Sequence, residues 1–307
     1  MSSESKITEY FAAAQQLDPV RFPIGIGDDM AQICTEDIKS VLVTTDMLLD
    51  GTHFDLSGGD RLELVGYKSM AASLSDCAAM ASIPVAAVVS VALPAGFGED
   101  KLKRLHAGIL DAASRYNCPL IGGDITGWKS SDDRLAVSVT MFSKLPLGAE
   151  PIKRSTAQPG DRIYVTGSLG GSIRGRHLEF TPRIEEALRL RGLAKITAMM
   201  DISDGLSTDL NHICRLSGVG AVVYAEKIPV SSLPDVDLSS ALNDGEDFEL
   251  LFTVAAKDSG GLESGWKMPA KITCIGEVTD KKDVMIEFPD GRIEPLRAGG
   301  YDHLNKE

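Results

Sequence analysis

The sequence predicts an α/β or α+β fold of two domains. β-branched segments typical of strands alternate with amphipathic segments typical of helices, and no fixed-period repeat is visible. The 307 residues are enough to bury a sizeable core in one or two domains. With 43% hydrophobic residues, 24% charged residues and no low-complexity tract, the composition is that of an ordinary globular protein. We therefore expect a folded protein of two domains.

Five segments in the first half have clear strand or helix patterns. Three β-branched runs predict strands, and two longer apolar runs predict helices. The predicted strands span residues 41–45, 85–93 and 135–142, and the predicted helices span residues 62–81 and 102–116. Asp60 and Glu63 are spaced as in a capping box, which is a helix-start pattern. This half therefore mixes strands with helices.

The pattern lapses between Leu145 and Gly160, where the segment PLGAEPIKRSTAQPGD has no sustained apolar periodicity. We place the domain boundary in this stretch and expect domains at residues 1–147 and 148–307. Beyond it, a helix is predicted at residues 206–216, closed by Gly218. Further strands are predicted at residues 163–166, 249–254 and 272–278.

The charge of the chain argues against two classes of partner. It has 31 basic and 44 acidic residues, for a net charge of -13, and no cluster of Lys and Arg. Nucleic acids and anionic membranes are bound through such basic surfaces. We therefore expect neither as a partner.

The cysteines and the first residues predict a cytoplasmic protein. The five cysteines are odd in number, widely spaced and free of any C-x-x-C pair, so neither a disulfide framework nor a zinc site is indicated. The segment MSSESKITEY lacks the pattern of a signal peptide, and no apolar run has the length of a membrane span. We expect reduced thiols and a cytoplasmic location.

Six aspartates stand directly after apolar or glycine-containing segments. A carboxylate at the end of a strand is held by a rigid scaffold and points into a loop-lined cleft, where ligands bind. We interpret Asp46 in this way, as the end of the strand VLVTTD. Each position alone is weak evidence, because Gly-Asp pairs are mainly turn residues. The six are Asp28, Asp29, Asp46, Asp124, Asp201 and Asp204.

The number of these aspartates favours a magnesium site. Converging carboxylates would repel one another and any anionic substrate unless cations lay between them. Mg²⁺ prefers hard oxygen ligands and bridges protein carboxylates to substrate phosphates. The sequence therefore predicts an enzyme that holds divalent metal ions against phosphate groups.

Three polar residues near these aspartates have two interpretations. Asp76 lies in an apolar helix, where it is either a solvent-facing residue or a metal ligand, because a bare carboxylate is costly to bury. Thr44 and Thr45 are either simple strand formers or oxygen donors beside Asp46. Residue patterns alone leave these alternatives open.

Other candidates are weaker by pattern alone. Arg154 is a surface cation or a phosphate clamp, and the pattern favours the surface cation. Ser203 does not lie in a G-x-S-x-G elbow, so we expect it to cap the following helix. His53 and Glu246 are either structural residues or substrate contacts. The segment TGSLGG lacks the end of a P-loop and is predicted to be a turn.

Taken in order, eight segments resemble those of the thiamine-monophosphate kinase family. The resemblance covers about residues 24 to 303. The wider superfamily, which includes aminoimidazole ribonucleotide synthetase and selenophosphate synthetase, shares the two-domain plan and ATP use. The segments are GIGDDMA, TTDMLLDGTHF, SMAASLSDCAAMASIP, LIGGDIT, RSTAQPGDRIYVTGSLG, MDISDGLSTDL, DGEDFELLF and GYDH.

The resemblance implies a PurM-like architecture and a kinase activity. It implies an N-terminal α/β domain that dimerises through its sheet and a C-terminal α/β domain that closes the active site. The implied reaction is the magnesium-dependent transfer of a phosphoryl group from ATP to thiamine monophosphate. Because that acceptor is itself an ionised phosphate, we expect direct in-line transfer without a covalent enzyme intermediate.

The resemblance also implies roles for individual residues. The implied magnesium ligands are Asp29, Thr44, Thr45, Asp46, Asp76, Asp124 and Asp201, with Asp204 on a further ion. The implied ATP contacts are Gly123, Arg154 and Ser203, and the implied contacts to thiamine monophosphate are His53, Glu246 and Tyr301.

Two segments depart from the family pattern. The segment after TGSLGG is shortened, and Glu179 and Phe180 stand where the family has the start of an R-P-x-P-R element. Asp244 replaces the first glycine of the family's G-G-E-D. The alternatives are a superfamily enzyme with another acceptor and a non-catalytic nucleotide-binding or metal-binding protein. Selenophosphate synthetase is disfavoured, because no cysteine lies in a Gly-rich N-terminal segment.

Overall fold

A computed structural model describes residues 19–20, 22–24, 28–34, 40–59 and 61–301. Within these residues the chain forms two β-sheets with helices packed against them. No described helix combines the length and the apolar character that a bilayer crossing requires.

The first half forms a five-stranded sheet in the order β1-β2-β5-β3-β4. Only β3 and β4 pair in parallel, and the other neighbours are antiparallel. Two helices, α1 (Leu62–Ala79) and α2 (Glu99–Arg115), follow β2 and β3 in the chain. The strands are β1 (Ala31–Ile33), β2 (Val41–Leu49), β3 (Ile83–Leu93), β4 (Leu120–Gly127) and β5 (Ala136–Lys144).

The second half forms a seven-stranded sheet in the order β12-β11-β8-β10-β6-β9-β7. Its strands are β6 (Arg162–Thr166), β7 (Ile196–Asp201), β8 (Gly220–Tyr224), β9 (Leu250–Val254), β10 (Ile272–Thr279), β11 (Val284–Glu287) and β12 (Ile293–Pro295). Its helices are α3 (Ile184–Leu193), α4 (Leu206–Ser217), α5 (Leu238–Asn243) and α6 (Ser259–Gly265). Short 3₁₀ turns lie at Ser172–Arg174, Arg176–Leu178, Ala225–Lys227 and Ala256–Asp258.

The seven-stranded sheet separates two hydrophobic cores. In β6, Tyr164 joins one core while its neighbours Ile163 and Val165 join the other, as the alternation of side chains along a strand requires. The core on the Tyr164 side is continuous with the core of the first half. The core on the other side packs against α4. The two halves therefore share one hydrophobic core.

Helix α1 lies at the centre of that shared core. Most of its residues are buried on every side, and it contacts β2 and β5 of the first sheet as well as β7 and α3 of the second half. A helix buried all round lacks a polar face. Every buried charged side chain on it therefore needs a partner from a neighbouring element.

Glycines allow α1 and α2 to pack closely. A Cβ atom on Gly66 would lie 2.0 Å from the carbonyl oxygen of Leu105, and one on Gly108 would lie 1.8 Å from the carbonyl oxygen of Glu63. Because real Cβ atoms do not approach backbone this closely, each contact requires glycine.

The predicted fold class is confirmed, since the structure combines two sheets with helices in two PurM-like halves. The structure corrects three details. Strand β2 continues to Leu49, so Asp46 lies inside the strand, and Asp124 likewise lies inside β4. Helix α4 begins after Gly205, so Ser203 does not cap it. At the predicted capping box, Glu63 binds Arg104 instead, while Asp60 lies outside the described residues.

The contact between the two helices predicts the effect of substituting Gly108. Gly108→Ala should lower the free energy of unfolding by about 2 kcal/mol, because the added methyl group overlaps the backbone of α1. Urea denaturation measures this change. The matched control is Gly192→Ala in α3, where nothing lies within 4 Å of an added Cβ. The control should leave stability unchanged or raise it by up to about 1 kcal/mol. Equal stability of the two variants would contradict the packing argument.

Candidate active site

Four aspartates from distant parts of the sequence form a cluster where the two halves meet. Oxygen atoms of Asp29, Asp76 and Asp201 all lie within 4.8 Å of one another. Asp46 is close enough to the other three for its charge to act on Asp76 and Asp201. Asp201 is the last residue of β7, whereas Asp76 projects from the middle of α1. We call these four residues the carboxylate cluster.

Hydroxyl groups bind three members of the carboxylate cluster. Thr44 Oγ1 donates to Asp76 Oδ2 at 2.5 Å, and Ser75 Oγ donates to Asp201 Oδ2 at 2.5 Å. Ser73 donates to Asp46. These bonds hold the carboxylates in place, yet hydroxyl groups carry no charge to balance them.

Burial and mutual repulsion raise the pKa of three members of the carboxylate cluster. Burial raises the pKa of Asp201 to about 7, and the nearby charge of Asp29 adds to this effect. The pKa of Asp76 is raised well above its ordinary value by burial and by the charges of Asp46 and Asp201. Burial also raises the pKa of Asp46. Carboxylates in such an arrangement favour a divalent cation as their counter-ion.

Arg154 is the cation that the chain itself supplies to the cluster. Its guanidinium donates from Nε to Asp29 Oδ2 at 2.7 Å and from Nη2 to Asp29 Oδ1 at 2.6 Å. Burial lowers the pKa of Arg154, but the charge and hydrogen bonds of Asp29 and the charges of Asp28 and Asp201 together outweigh burial, so the pKa is raised. The sequence pattern favoured a surface cation, and that interpretation is wrong, because Arg154 forms a bidentate pair inside the site.

Two predicted metal ligands do not reach the carboxylate cluster. Thr45 projects from the opposite face of the first sheet, where its hydroxyl lies 3.0 Å from that of Thr140. Asp124 pairs in register with Ser90, which pairs with Ser138, so all three side chains share that face. Strands β5 and β3 separate Asp124 from Asp46 in the sheet. Within one chain, Asp124 and Asp46 cannot bind the same ion.

A cavity of about 400 Å³ opens beside the carboxylate cluster. Asp46 belongs to both the cluster and the cavity wall. We call this space the His53 cavity. Besides Asp46, the structure brings together here five of the predicted residues, which are His53, Ser203, Asp204, Glu246 and Tyr301.

The backbone around Glu246 has an unusual conformation. Glu246 and Phe248 have φ values of 57° and 50°, in the left-handed region that non-glycine residues rarely adopt. The N–H of Glu246 donates to the carbonyl of Ser203 at 2.7 Å, and that of Phe248 donates to Ile202 at 2.8 Å. Strained backbone of this kind clusters at ligand sites. It places Glu246 and Phe248 on the wall of the His53 cavity.

Lys68 and His177 are site residues that the sequence argument missed. Lys68 projects from α1, and its side chain is 1% exposed. It forms an ion pair with Glu246, and its Nζ lies 2.8 Å from His177 Nδ1. A signal was present in the sequence, because Lys68 stands in an apolar helix just as Asp76 does.

A second cavity, of about 630 Å³, lies between α2 and the edge strand β4. Gly123 lines it, and a Cβ at this position would lie 1.9 Å from the carbonyl oxygen of Val89. The walls are mainly apolar, with Val89 and Ile125 from the sheet and Leu102 from α2. We call this space the β4 groove. Apolar walls of this kind suit the burial of an apolar ring.

The oxygen ligands of the carboxylate cluster fit magnesium. They consist of aspartate oxygens, with the hydroxyl of Thr44 beside them, and hard oxygen ligands of this kind suit Mg²⁺. Asp29, Asp46, Asp76 and Asp201 are the residues that could hold such ions.

Comparisons with known proteins agree with this arrangement. Residues 27–145 match the family described as AIR synthase related protein, N-terminal domain, and residues 158–288 match its C-terminal domain. A thiamine-monophosphate kinase of Rhodopirellula baltica is 35% identical over 296 residues, which cover 91% of this chain and 91% of that protein. The chain belongs to the thiamine-monophosphate kinase family.

Two further relatives support the thiamine-monophosphate kinase family. The thiamine-monophosphate kinase of Escherichia coli K12 is 33% identical, with 96% of this chain and 98% of that protein covered. The solved structure described as AaThiL complexed with AMPPCP and TMP matches with a TM-score of 0.78 and 27% identity, over 98% of this chain and 97% of that chain. The predicted resemblance is confirmed.

The two departures from the pattern of thiamine-monophosphate kinases have structural roles. Asp244 has φ −64° and ψ −34°, so its backbone does not require glycine. Its Oδ2 accepts a hydrogen bond from the N–H of Gly171 at 3.0 Å, which fastens the TGSLGG turn beside the His53 cavity. Phe180 stacks on Phe248 with ring centroids 4.0 Å apart. The shortened segment therefore packs against the wall of this cavity.

The raised pKa of Asp201 predicts how stability depends on pH. Its pKa is about 7 in the folded protein, against an ordinary value of 3.8. Between these pH values, Asp201 keeps its proton in the folded chain and loses it in the unfolded chain. The stability that this group contributes is therefore full below about pH 4 and is lost as the pH rises through about 7. Without divalent cations, the melting temperature should therefore fall by several degrees between pH 5 and pH 8.

Differential scanning fluorimetry measures this dependence. Asp201→Asn should reduce the slope, while Asp290→Asn, in an exposed turn, should keep it. Magnesium should raise the melting temperature more at pH 8 than at pH 5, because only ionised carboxylates bind it. A slope that is the same in all three proteins would contradict the assignment to Asp201.

Proposed function

We propose that this chain transfers the γ-phosphoryl group of ATP to thiamine monophosphate, with Mg²⁺, giving thiamine diphosphate and ADP. The observation that carries the proposal is the position of Asp46, which belongs both to the carboxylate cluster and to the wall of the His53 cavity. A metal-bound phosphoryl group would there lie next to the acceptor. Relatives named thiamine-monophosphate kinase, and the related structure described with AMPPCP and TMP, support the choice of reaction.

The carboxylate cluster would hold the magnesium ions. Asp29, Asp46, Asp76 and Asp201 supply the charge, and Thr44 lies beside them. Asp204, on the wall of the His53 cavity, would hold a further ion. Bound Mg²⁺ supplies positive charge that neutralises the phosphates as they approach. The chain contributes a fixed array of oxygens, which hydroxyl groups hold in place.

The His53 cavity would bind thiamine monophosphate. It combines acidic residues with the aromatic side chains of Phe248 and Tyr301, which suits a positively charged aromatic ring. The N–H of Leu49 donates to His53 Nδ1 at 3.0 Å, so a neutral His53 carries its proton on Nε2 as a hydrogen-bond donor. Glu246 would accept hydrogen bonds from thiamine monophosphate.

Phosphoryl transfer would be direct. The phosphate of thiamine monophosphate has a second pKa of about 6, so it is largely ionised at neutral pH and needs no strong general base. The task of the chain is to align two anions and offset their charge. Direct transfer inverts the configuration at the transferred phosphorus atom, and retention would contradict it.

The β4 groove would bind the nucleoside of ATP. Its apolar walls suit the adenine base, and Gly123 is part of its lining. Arg154 and Ser203 would contact the phosphates from the side of the carboxylate cluster. Arg154 now binds Asp29, and a phosphate would compete for the same guanidinium.

We propose a homodimer that pairs through the open face of the first sheet. This face exposes Met47 and Leu49, whose side chains are 60% and 38% accessible. It also carries Asp124, which is about 14 Å from Asp46 across three strand spacings. If Asp124 is a metal ligand, it reaches the cluster from a second copy of the chain. The β4 groove lies at the same edge and would then also face the neighbouring cluster.

The division of labour between the two halves follows from these placements. Residues 1–147 would form the domain for metal, ATP and dimer contacts, and residues 148–307 would close the site. The two sheets lie on either side of this boundary, which supports the division. A cytoplasmic location, where ATP is available, stays a prediction from the sequence.

The reaction predicts a specific product. Purified protein with ATP, MgCl₂ and thiamine monophosphate should form thiamine diphosphate, and none should form from unphosphorylated thiamine or without metal. Asp46→Asn should lower kcat by about 100-fold or more, because the amide keeps the shape but is a weak ligand. The control is Asp290→Asn. Chromatography of thiamine phosphates measures the product. Nucleotide binding without ADP formation would favour a non-catalytic binding protein instead.

A shared active site predicts complementation between inactive variants. Asp46→Asn and Asp124→Asn should each be nearly inactive alone. Mixed dimers would contain one site with both aspartates intact, so random exchange of equal amounts should restore about a quarter of the wild-type activity. Activity after mixing and subunit exchange measures this. A monomer in solution, or no recovery from verified mixed dimers, would contradict the shared site.

A further inference from the structure

The ammonium group of Lys68 is enclosed by three acceptors. Its Nζ lies 2.5 Å from the carbonyl oxygen of His53 and 2.8 Å from His177 Nδ1, and it pairs with the Glu246 carboxylate. An ammonium group has three N–H donors. Lys68 therefore makes two hydrogen-bond contacts, to His53 and His177, and one ion pair, to Glu246.

These acceptors come from three separate segments. His53 follows β2 in the first half, whereas His177 and Glu246 belong to the second half. Lys68 itself projects from α1, which is buried between the halves. A single side chain therefore ties the turn that carries His53 to the loop that carries Glu246, and both residues line the His53 cavity.

Lys68 also determines what Glu246 presents to the cavity. The side chain of Glu246 is 20% exposed, and its Oε2 is the atom that pairs with Lys68. The backbone of Glu246 is held in the left-handed region, and its N–H donates to the carbonyl of Ser203. Asp46, Asp204 and Asp244 line the same cavity. Lys68 therefore supplies a positive charge beside Glu246 in a cavity that three other carboxylates line.

We propose that Lys68 is a positioning residue that sets the affinity for the phosphate acceptor. It holds Glu246 and the His53 turn in one arrangement and offsets the charge of Glu246. Its contacts lie on the side of the His53 cavity, away from the β4 groove. The inference rests on the proposed function, because it concerns the acceptor of that reaction.

The test compares Lys68→Met with Lys68→Arg. Lys68→Met keeps an unbranched side chain but removes the charge and the N–H donors. It should raise the KM for thiamine monophosphate at least about tenfold, as expected for the loss of a hydrogen bond to a charged group. The KM for ATP should stay within about twofold of wild type. Lys68→Arg restores charge and donors and should recover most of the affinity.

Two controls separate positioning from a general structural role. Lys257→Met, in an exposed turn, should leave both constants unchanged. Calorimetric binding of thiamine monophosphate to the folded variants should follow the same order as KM. If Lys68→Met does not fold, Lys68→Gln, which keeps two N–H donors without the charge, is compared with Lys68→Arg by the same criteria.

The outcomes are distinct. A folded Lys68→Met or Lys68→Gln variant with a wild-type KM for thiamine monophosphate overturns the inference, and so does an equal rise in both KM values. If the wild-type protein forms no thiamine diphosphate, the proposed function itself fails. An active variant in which only the KM for thiamine monophosphate rises, and the KM for ATP does not, supports the positioning role.

Discussion

The structure depends on burying a helix that carries charges at its centre. Helix α1 packs between the two sheets, yet it holds Lys68 and Asp76 among apolar neighbours. Burying such groups alone would cost far more than the packing contributes. Partners must therefore come from both halves: Glu246 binds Lys68, and Thr44 binds Asp76. The contacts that make this helix stable also assemble the site.

The carboxylate cluster is an unfavourable arrangement that a ligand can relieve. Four aspartates lie close together, and burial and mutual repulsion raise the pKa of several of them. Arg154 offsets only part of this charge, through its pair with Asp29. Divalent cations would complete the balance, and phosphate groups could then approach an otherwise repulsive, acidic protein. The acidity of the chain and its affinity for an anionic substrate are thus compatible.

The first sheet uses its two faces differently. One face supports α1 and the core, with Leu42, Val137 and Val139 fully buried. The other face carries Thr45, Met47 and Asp124, which are exposed in a single chain. Neighbouring residues on one strand, such as Thr44 and Thr45, therefore serve different surfaces. A site that spans two copies of the chain would use both faces.

The sequence by itself determined six of the strands, three of the helices, the two-part fold class and the family. It also determined which aspartates to consider, because apolar periodicity and glycine positions are local properties. Only the tertiary structure decided which of these residues meet. It placed Asp124 and Thr45 on the far face of the sheet, since the direction of a side chain depends on strand register. It paired Arg154 with Asp29 across 125 residues and Lys68 with His177 across 109. Such pairs follow from how the two halves pack, and no local sequence pattern predicts that packing.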